Sequence, residues 1–285
     1  MLSFDAFLNK MRGVKMVSDL PYAANCSLLF TEVPLTERPA AARAAGFDAI
    51  EFWWPWPDQP VPPDAEVDAF VRSVRDAGVR LVGLNFYAGN LAGADAGVLS
   101  VPDRSAEFRA NVPVLVEIGA ALEVPAHNAP YGVRVDGVRP EEQDELAAEN
   151  LTLAADALAG QGATVLVEPL SGPKPYPLRT ASDVVTVLDR LEVGNVGLLL
   201  DLYHLAANGD DLDRAITAYA DRVAHVQIAD FPGRGEPGSG TLDLDRHLSA
   251  LVAAGYSGYV AAEYKPTTTT LDSLGWFRRP ERGRS

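Results

Sequence analysis

The sequence predicts an α/β chain folded as a (β/α)8 TIM barrel. Short apolar runs rich in β-branched and aromatic residues alternate with longer helix-patterned segments, the signature of βαβ units and a parallel sheet. About eight such runs occur, each nearly continuous in apolar character, as strands covered on both faces should be. No linker-like change of composition separates them, so 285 residues read as one barrel rather than two domains.

The expected strands are Tyr22–Ser27, Ala49–Trp53, Val79–Phe86, Val124–Asn128, Thr164–Glu168, Val196–Asp201, Val223–Ala229 and Gly258–Glu263. Between them the pattern turns helical. Pro140 followed by Glu141 and Glu142 suits a first turn, Leu146, Leu151, Leu153 and Leu158 mark an apolar face, and Gly160 and Gly162 end it. Asp210–Ala220 reads similarly. Residues 1–20 are expected as an N-terminal extension, 21–276 as the barrel and 277–285 as a basic tail with four arginines.

Acidic residues outnumber basic ones by 39 to 24, and a net charge of −15 disfavours nucleic acid and anionic membranes as partners. The single Cys26 allows no internal disulfide, and no run approaches the ~18 apolar residues of a membrane span. A cytoplasmic protein is therefore expected. Homo-oligomerisation stays compatible with the sequence, which carries no pattern that reports assembly.

In a barrel, chemistry gathers where strands end. Polar groups close four of the buried runs: Glu168 ends Thr-Val-Leu-Val-Glu, Asp201 ends Val-Gly-Leu-Leu-Leu-Asp, Gln227 lies in His-Val-Gln-Ile-Ala-Asp, and Glu263 ends Tyr-Val-Ala-Ala-Glu. Each step from one to the next spans about one βαβ repeat, so the four side chains come from neighbouring strands and can converge. Three carboxylates together in a low-dielectric mouth repel one another by several kcal/mol unless protonated or neutralised, and a divalent cation is the simplest neutraliser. Three carboxylates and one amide oxygen make a hard shell, better suited to Mg2+ or Mn2+ than to zinc.

Several segments extend this reading. Asn25 with Ser27–Pro34, Ala45–Phe52, Asp201–His204, His225–Asp230, Glu236–Gly238, Glu263–Pro266 and Leu274–Trp276 together resemble the hydroxypyruvate isomerase family over about residues 22–277. That resemblance implies the xylose-isomerase-like barrel. It further implies that Glu168 and Glu263 are both metal ligands and the acid/base pair, with Asp201 and Gln227 completing the shell. The implied reaction converts hydroxypyruvate to tartronate semialdehyde through an enediolate. Glu168–Pro175 is more similar to the related 2-oxo-tetronate isomerases, which keeps that substrate open. A ketose 3-epimerase is a further alternative, although such enzymes usually carry a histidine where Gln227 stands. A metal-dependent nuclease fits poorly with four histidines and the negative charge.

A small anionic hydroxy-keto acid needs local cations. Lys265, Arg234, Lys174 and His204 are the candidates, and His127 ends the fourth strand. There the sequence departs from the family's usual His-Val-Met-Ala-Gly beyond the histidine. His225 and His247 are expected in structural or surface roles. Trp53, Trp54 and Trp56 replace smaller residues after the second strand; they either rim the mouth or pack the loop onto the barrel top.

Overall fold

The computed structural model describes residues 20–91 and 93–277. The expected N-terminal extension, save Leu20, and the basic tail after Phe277 lie outside the described residues.

Eight parallel strands form one sheet: β1 (Tyr22–Asn25), β2 (Ala49–Phe52), β3 (Arg80–Leu84), β4 (Ala126–Asn128), β5 (Thr164–Val167), β6 (Val196–Asp201), β7 (Val223–Ile228) and β8 (Val260–Ala262). Their spatial order, β3-β2-β1-β8-β7-β6-β5-β4, is that of a barrel opened along one seam. The seam between β3 and β4 is stitched just beyond the strand, where the Phe86 amide donates to the Asn128 carbonyl at 2.8 Å.

Helices follow the strands and cover the outside. They are α1 (Arg38–Ala45), α2 (Asp64–Ala77), α3 (Ser105–Leu122), α4 (Pro140–Ala159), α5 (Ala181–Leu188), α6 (Leu202–Asn208), α7 (Leu212–Tyr219) and α8 (Leu244–Ala253). The proline-and-glutamate start expected for α4 is present, with Pro140, Glu141 and Glu142 in its first turn. Among the described residues, no helix is long and apolar enough to cross a membrane.

The two-residue period of the strands builds the interior in layers. Ala23, Ala49, Val82 and Ala261 pack together as an apolar floor, and Ala126, Leu166 and Leu199 form its continuation. Two residues further along six of these strands stand Asn25, Glu51, Asn128, Glu168, Asp201 and Glu263, all buried polar groups. The residues between, such as Ala24, Ile50, Val167, Leu200 and Ala262, point outward into the apolar core under the helices. An apolar plug thus carries a polar layer at the C-terminal mouth. At β5 and β8 the strand ends one residue short of expectation, at Val167 and Ala262, although the Glu263 amide still donates to the Ile228 carbonyl of β7 at 3.0 Å.

Aromatic packing settles the tryptophans and the chain end. Trp54 and Trp56 are buried, with ring centroids 5.2 Å apart, and Trp56 leans on Phe70, so both hold the β2 loop to the barrel. Trp53 alone of the three reaches the cleft described below. Phe277 stacks on Phe47 at 4.0 Å between centroids.

Gly97 anchors the loop after β3. Its φ is +108°, and a Cβ there would sit 1.9 Å from the Pro130 carbonyl oxygen. Replacing Gly97 by Ala is expected to cost on the order of 2 kcal/mol or more, read as a shift in the urea midpoint. An unchanged midpoint would show that this loop does not contribute to the cooperative fold.

Candidate active site

Glu168 follows β5 directly and is buried at the cleft floor. Asn128, at the inward position of β4, donates its amide to Glu168 Oε2 at 2.7 Å. The Glu168 carbonyl is held by the Tyr176 hydroxyl, which in turn accepts from the Tyr131 amide. Backbone and carboxylate are therefore both fixed.

Asp201 ends β6 and caps α6. Its Oδ1 accepts from the amides of Tyr203 and His204 at 2.7 and 3.1 Å, while its buried Oδ2 has no hydrogen-bond partner. Gln227 sits opposite Asp201 in the β6–β7 register, so the two side chains share one side of the sheet. Its amide nitrogen donates to Glu263 Oε2 and Glu51 Oε1, and its carbonyl oxygen is buried without a partner.

Glu263 follows β8. Oε2 accepts from Asn25 and Gln227, and Oε1 pairs with Arg234. Arg234 itself sits with φ +61° in the loop after β7, its guanidinium 5.5 Å over the Tyr203 ring. Its buried Nε is left without an acceptor.

His204 completes the group. Its Nδ1 accepts the Ser171 amide at 2.9 Å, which leaves the ring proton on Nε2. That Nε2 lies 3.9 Å from Glu168 Oε1 and 3.8 Å from Asp201 Oδ2. Burial and the nearby Arg234 charge push its pKa well below the ordinary value, so the ring is neutral. With its lone pair turned to Ser171 and a proton on Nε2, His204 is arranged to donate a hydrogen bond rather than to coordinate.

Burial dominates the electrostatics, with like charges adding to it. Burial and the Asp201 charge push Glu168 up to about 8. Burial likewise lifts Asp201 to about 6, with Arg234 and the α6 amides opposing it. Glu263 is raised well above the usual carboxylate range by burial, against the pull of Arg234. Glu51 behaves oppositely: burial raises it, but hydrogen bonds and charge from His225, with the Asn25 and Gln227 amides, prevail and lower it.

These residues suit a cation. Glu168 and Asp201 could hold a metal ion, one carboxylate oxygen of each lying within 4.8 Å of the other and of a His204 ring nitrogen; His204 would join them as a ligand only by giving up its Nε2 proton. Two orphaned oxygens, Asp201 Oδ2 and Gln227 Oε1, supply acceptors that the protein does not use. Of the four ligands expected from sequence, Glu168 and Asp201 fall in this group; Glu263 does not, and is tied instead to Gln227 and Arg234.

The substrate candidates divide. Arg234, Lys174 and His204 line the cleft with Glu168 and Glu263. Lys174 holds its ammonium against the carbonyls of Leu91 and Asp95, joining the loops after β5 and β3. Lys265 is exposed and is not among the cleft-lining residues; what it contributes there is a hydrogen bond from its backbone N–H to the Arg234 carbonyl. His127 occupies an outward position on β4, buried against Gly119 of α3 and Phe86. Expecting it at the mouth was a register error of one residue, for Asn128 faces inward instead.

Sequence reasoning assigned no role to Asn25, Glu51, Asn128 or Ser171. A signal existed for Glu51, an acid inside the apolar run Ala49–Phe52. Ser171 had none, because its contribution is a backbone amide.

Such a barrel, with its acids at the strand ends, is the architecture of a sugar and sugar-acid isomerase. A family model for the xylose isomerase-like TIM barrel matches residues 39–279, and the chain belongs to that family. Two of the relatives it matches carry isomerase names. A Streptomyces coelicolor protein provisionally named a hydroxypyruvate isomerase is 53% identical, the match covering 91% of this chain and 96% of the relative. The 2-oxo-tetronate isomerase of Pectobacterium atrosepticum is 32% identical over 90% of this chain and 95% of its own. A crystal structure from Brucella melitensis described as an AP endonuclease of family 2 superposes with a TM-score of 0.82 at 35% identity, covering 90% of this chain and 98% of that one.

A buried carboxyl with a raised pKa keeps its proton longer in the folded chain than in the unfolded one, so cation-free protein loses stability as pH rises from 4.5 towards about 8 for Glu168. Cations compete with those protons. The gain in Tm on adding Mn2+ is therefore expected to widen between about pH 5 and about pH 8, measured by scanning fluorimetry; a gain independent of pH would contradict it.

Proposed function

We propose that the protein is a divalent-metal-dependent isomerase of a small hydroxy-keto acid, interconverting hydroxypyruvate and tartronate semialdehyde. One observation carries this reading: two buried glutamates, Glu168 and Glu263, line one cleft beside oxygens that lack partners. The cleft measures about 160 Å3, small beside the ~300–1,000 Å3 of sites for drug-sized ligands, and suits a substrate of few carbons.

Glu168, Asp201, Gln227 and Glu263 would hold Mg2+ or Mn2+, which supplies Lewis-acid polarisation of the substrate carbonyl, worth several kcal/mol. Glu168 and Glu263 act as the acid/base pair. One carboxylate takes the proton from C3, the electron pair forms the C2=C3 double bond of an enediolate, and a carboxyl returns a proton to C2. The hydroxyl proton moves from O3 to O2, so atoms balance. A raised pKa suits Glu168 to this exchange, because a carboxyl near neutrality gives and takes protons with little bias. His204 Nε2–H is placed to donate to an oxygen of the substrate as negative charge develops there. Arg234 and Lys174 receive the substrate carboxylate; the unpaired Arg234 Nε–H and the Lys174 ammonium are the cationic donors of the cleft. Against the net charge of −15, such local cations are what makes an anionic ligand admissible.

A 2-oxo-tetronate is the second reading. It is favoured by Glu168–Pro175, the loop that supplies Ser171 and Lys174 to the cleft.

In D2O with Mn2+, purified protein is expected to place deuterium on hydroxypyruvate or a 2-oxo-tetronate, followed by NMR. Glu168→Gln should lower that exchange by about 10³-fold while the fold is kept. Exchange undiminished in Glu168→Gln would remove the glutamate from the chemistry, and no exchange in the parent protein would leave at most a binding protein. Lys174→Met is expected to raise KM about tenfold or more with kcat nearly preserved; a fall confined to kcat would exclude substrate binding as its role.

A further inference from the structure

The polar layer holds one acid that the proposed chemistry does not use. Glu51, 3% exposed, sits on β2 directly beside Asn25 of β1 and reaches across the mouth to Gln227 of β7. Oε1 accepts from Asn25 Nδ2 at 2.8 Å and Gln227 Nε2 at 2.7 Å, and Oε2 meets His225 Nε2 at 2.7 Å. Both amide nitrogens also donate to Glu263 Oε2, so each NH2 lies between two carboxylates. Gly83 on β3 leaves the room: a Cβ there would come within 3.1 Å of Glu51 Cβ and Oε2.

This arrangement decides which way the Gln227 amide faces. Turned over, the amide would set its oxygen against the oxygens of Glu51 and Glu263 and aim N–H donors where its carbonyl now stands unpartnered. Asn25 is fixed the same way, and its Oδ1 is already taken by the Ser27 amide at 3.0 Å. His225 holds Glu51 from the other side, in the floor layer two residues before Gln227 on β7.

We propose that Glu51, braced by His225, is a positioning residue that locks the Gln227 amide with its oxygen turned towards the cation site. The inference rests on the metal reading above and adds a determinant of affinity to it. Removing an outer partner of a ligand typically weakens metal binding by about 10–100-fold.

The test is Mn2+ affinity without substrate, measured from the electron paramagnetic resonance of free Mn2+. Glu51→Gln is expected to raise the Kd about tenfold or more, because a neutral amide at 51 no longer obliges Gln227 to present its nitrogen. Adding Gln227→Glu in that background should recover most of the affinity, since a carboxylate offers oxygen in either orientation. Loosened packing would not be repaired by a second change at the same spot. His225→Leu, which removes the brace and leaves Glu51 in place, should weaken binding in the same direction and serves if Glu51→Gln does not fold. Parent protein that binds no Mn2+ would overturn the metal reading and this inference with it. Parent protein that binds, with the Glu51→Gln or His225→Leu Kd unchanged within twofold, would overturn the positioning role alone. Loss of affinity that Gln227→Glu does not restore would likewise overturn it.

Discussion

Carboxylates gathered away from water govern this molecule. Glu51, Glu168, Asp201 and Glu263 are each at most 5% exposed, and at low dielectric their mutual repulsion must be relieved by protons, hydrogen bonds or cations. The chain uses all three. Arg234 is drawn among them, the amides of Asn25, Asn128 and Gln227 donate to them, and the carboxyls nearest the cleft hold their protons to unusually high pH. Three acceptors of this layer, Asn128 Oδ1, Asp201 Oδ2 and Gln227 Oε1, still lack a partner, oxygens of the kind a small hard cation would satisfy.

The barrel makes this crowding affordable because the charged layer rests on a dry one. Small apolar side chains fill the floor, and two residues further along six of the strands polar groups appear at the open end. Loops then close the mouth from the side: Lys174 reaches from the β5 loop to carbonyls of the β3 loop, and Arg234 from the β7 loop to Glu263 after β8. In the proposed reaction, substrate selection would fall to loops and proton transfer to strand ends, a division that lets one fold serve different substrates.

Much of this was legible in the sequence, and the limits were physical. Apolar runs closed by Glu168, Asp201, Gln227 and Glu263 marked strand ends because buried acids are rare without a purpose. A one-residue period error misplaced His127, since a three-residue strand gives too little alternation to fix its face. Lys265 was drawn towards the site by sequence proximity to Glu263, yet the chain turns there and sends its side chain to solvent. Glu51, Asn25 and Ser171 act through contacts with residues far along the chain, and pairings of that kind leave no local pattern. His204 was legible as a site residue, but its tautomer depends on the Ser171 amide and belongs to the folded state alone.

Everything turns on whether the unpaired oxygens share one ion. Anomalous diffraction from crystals soaked in Mn2+ tests this directly. The account predicts a single peak in the barrel mouth, within bonding distance of carboxylate oxygens of Glu168, Asp201 and Glu263 and of the Gln227 amide oxygen. A peak elsewhere, or none with Arg234 still seated on Glu263, would contradict it.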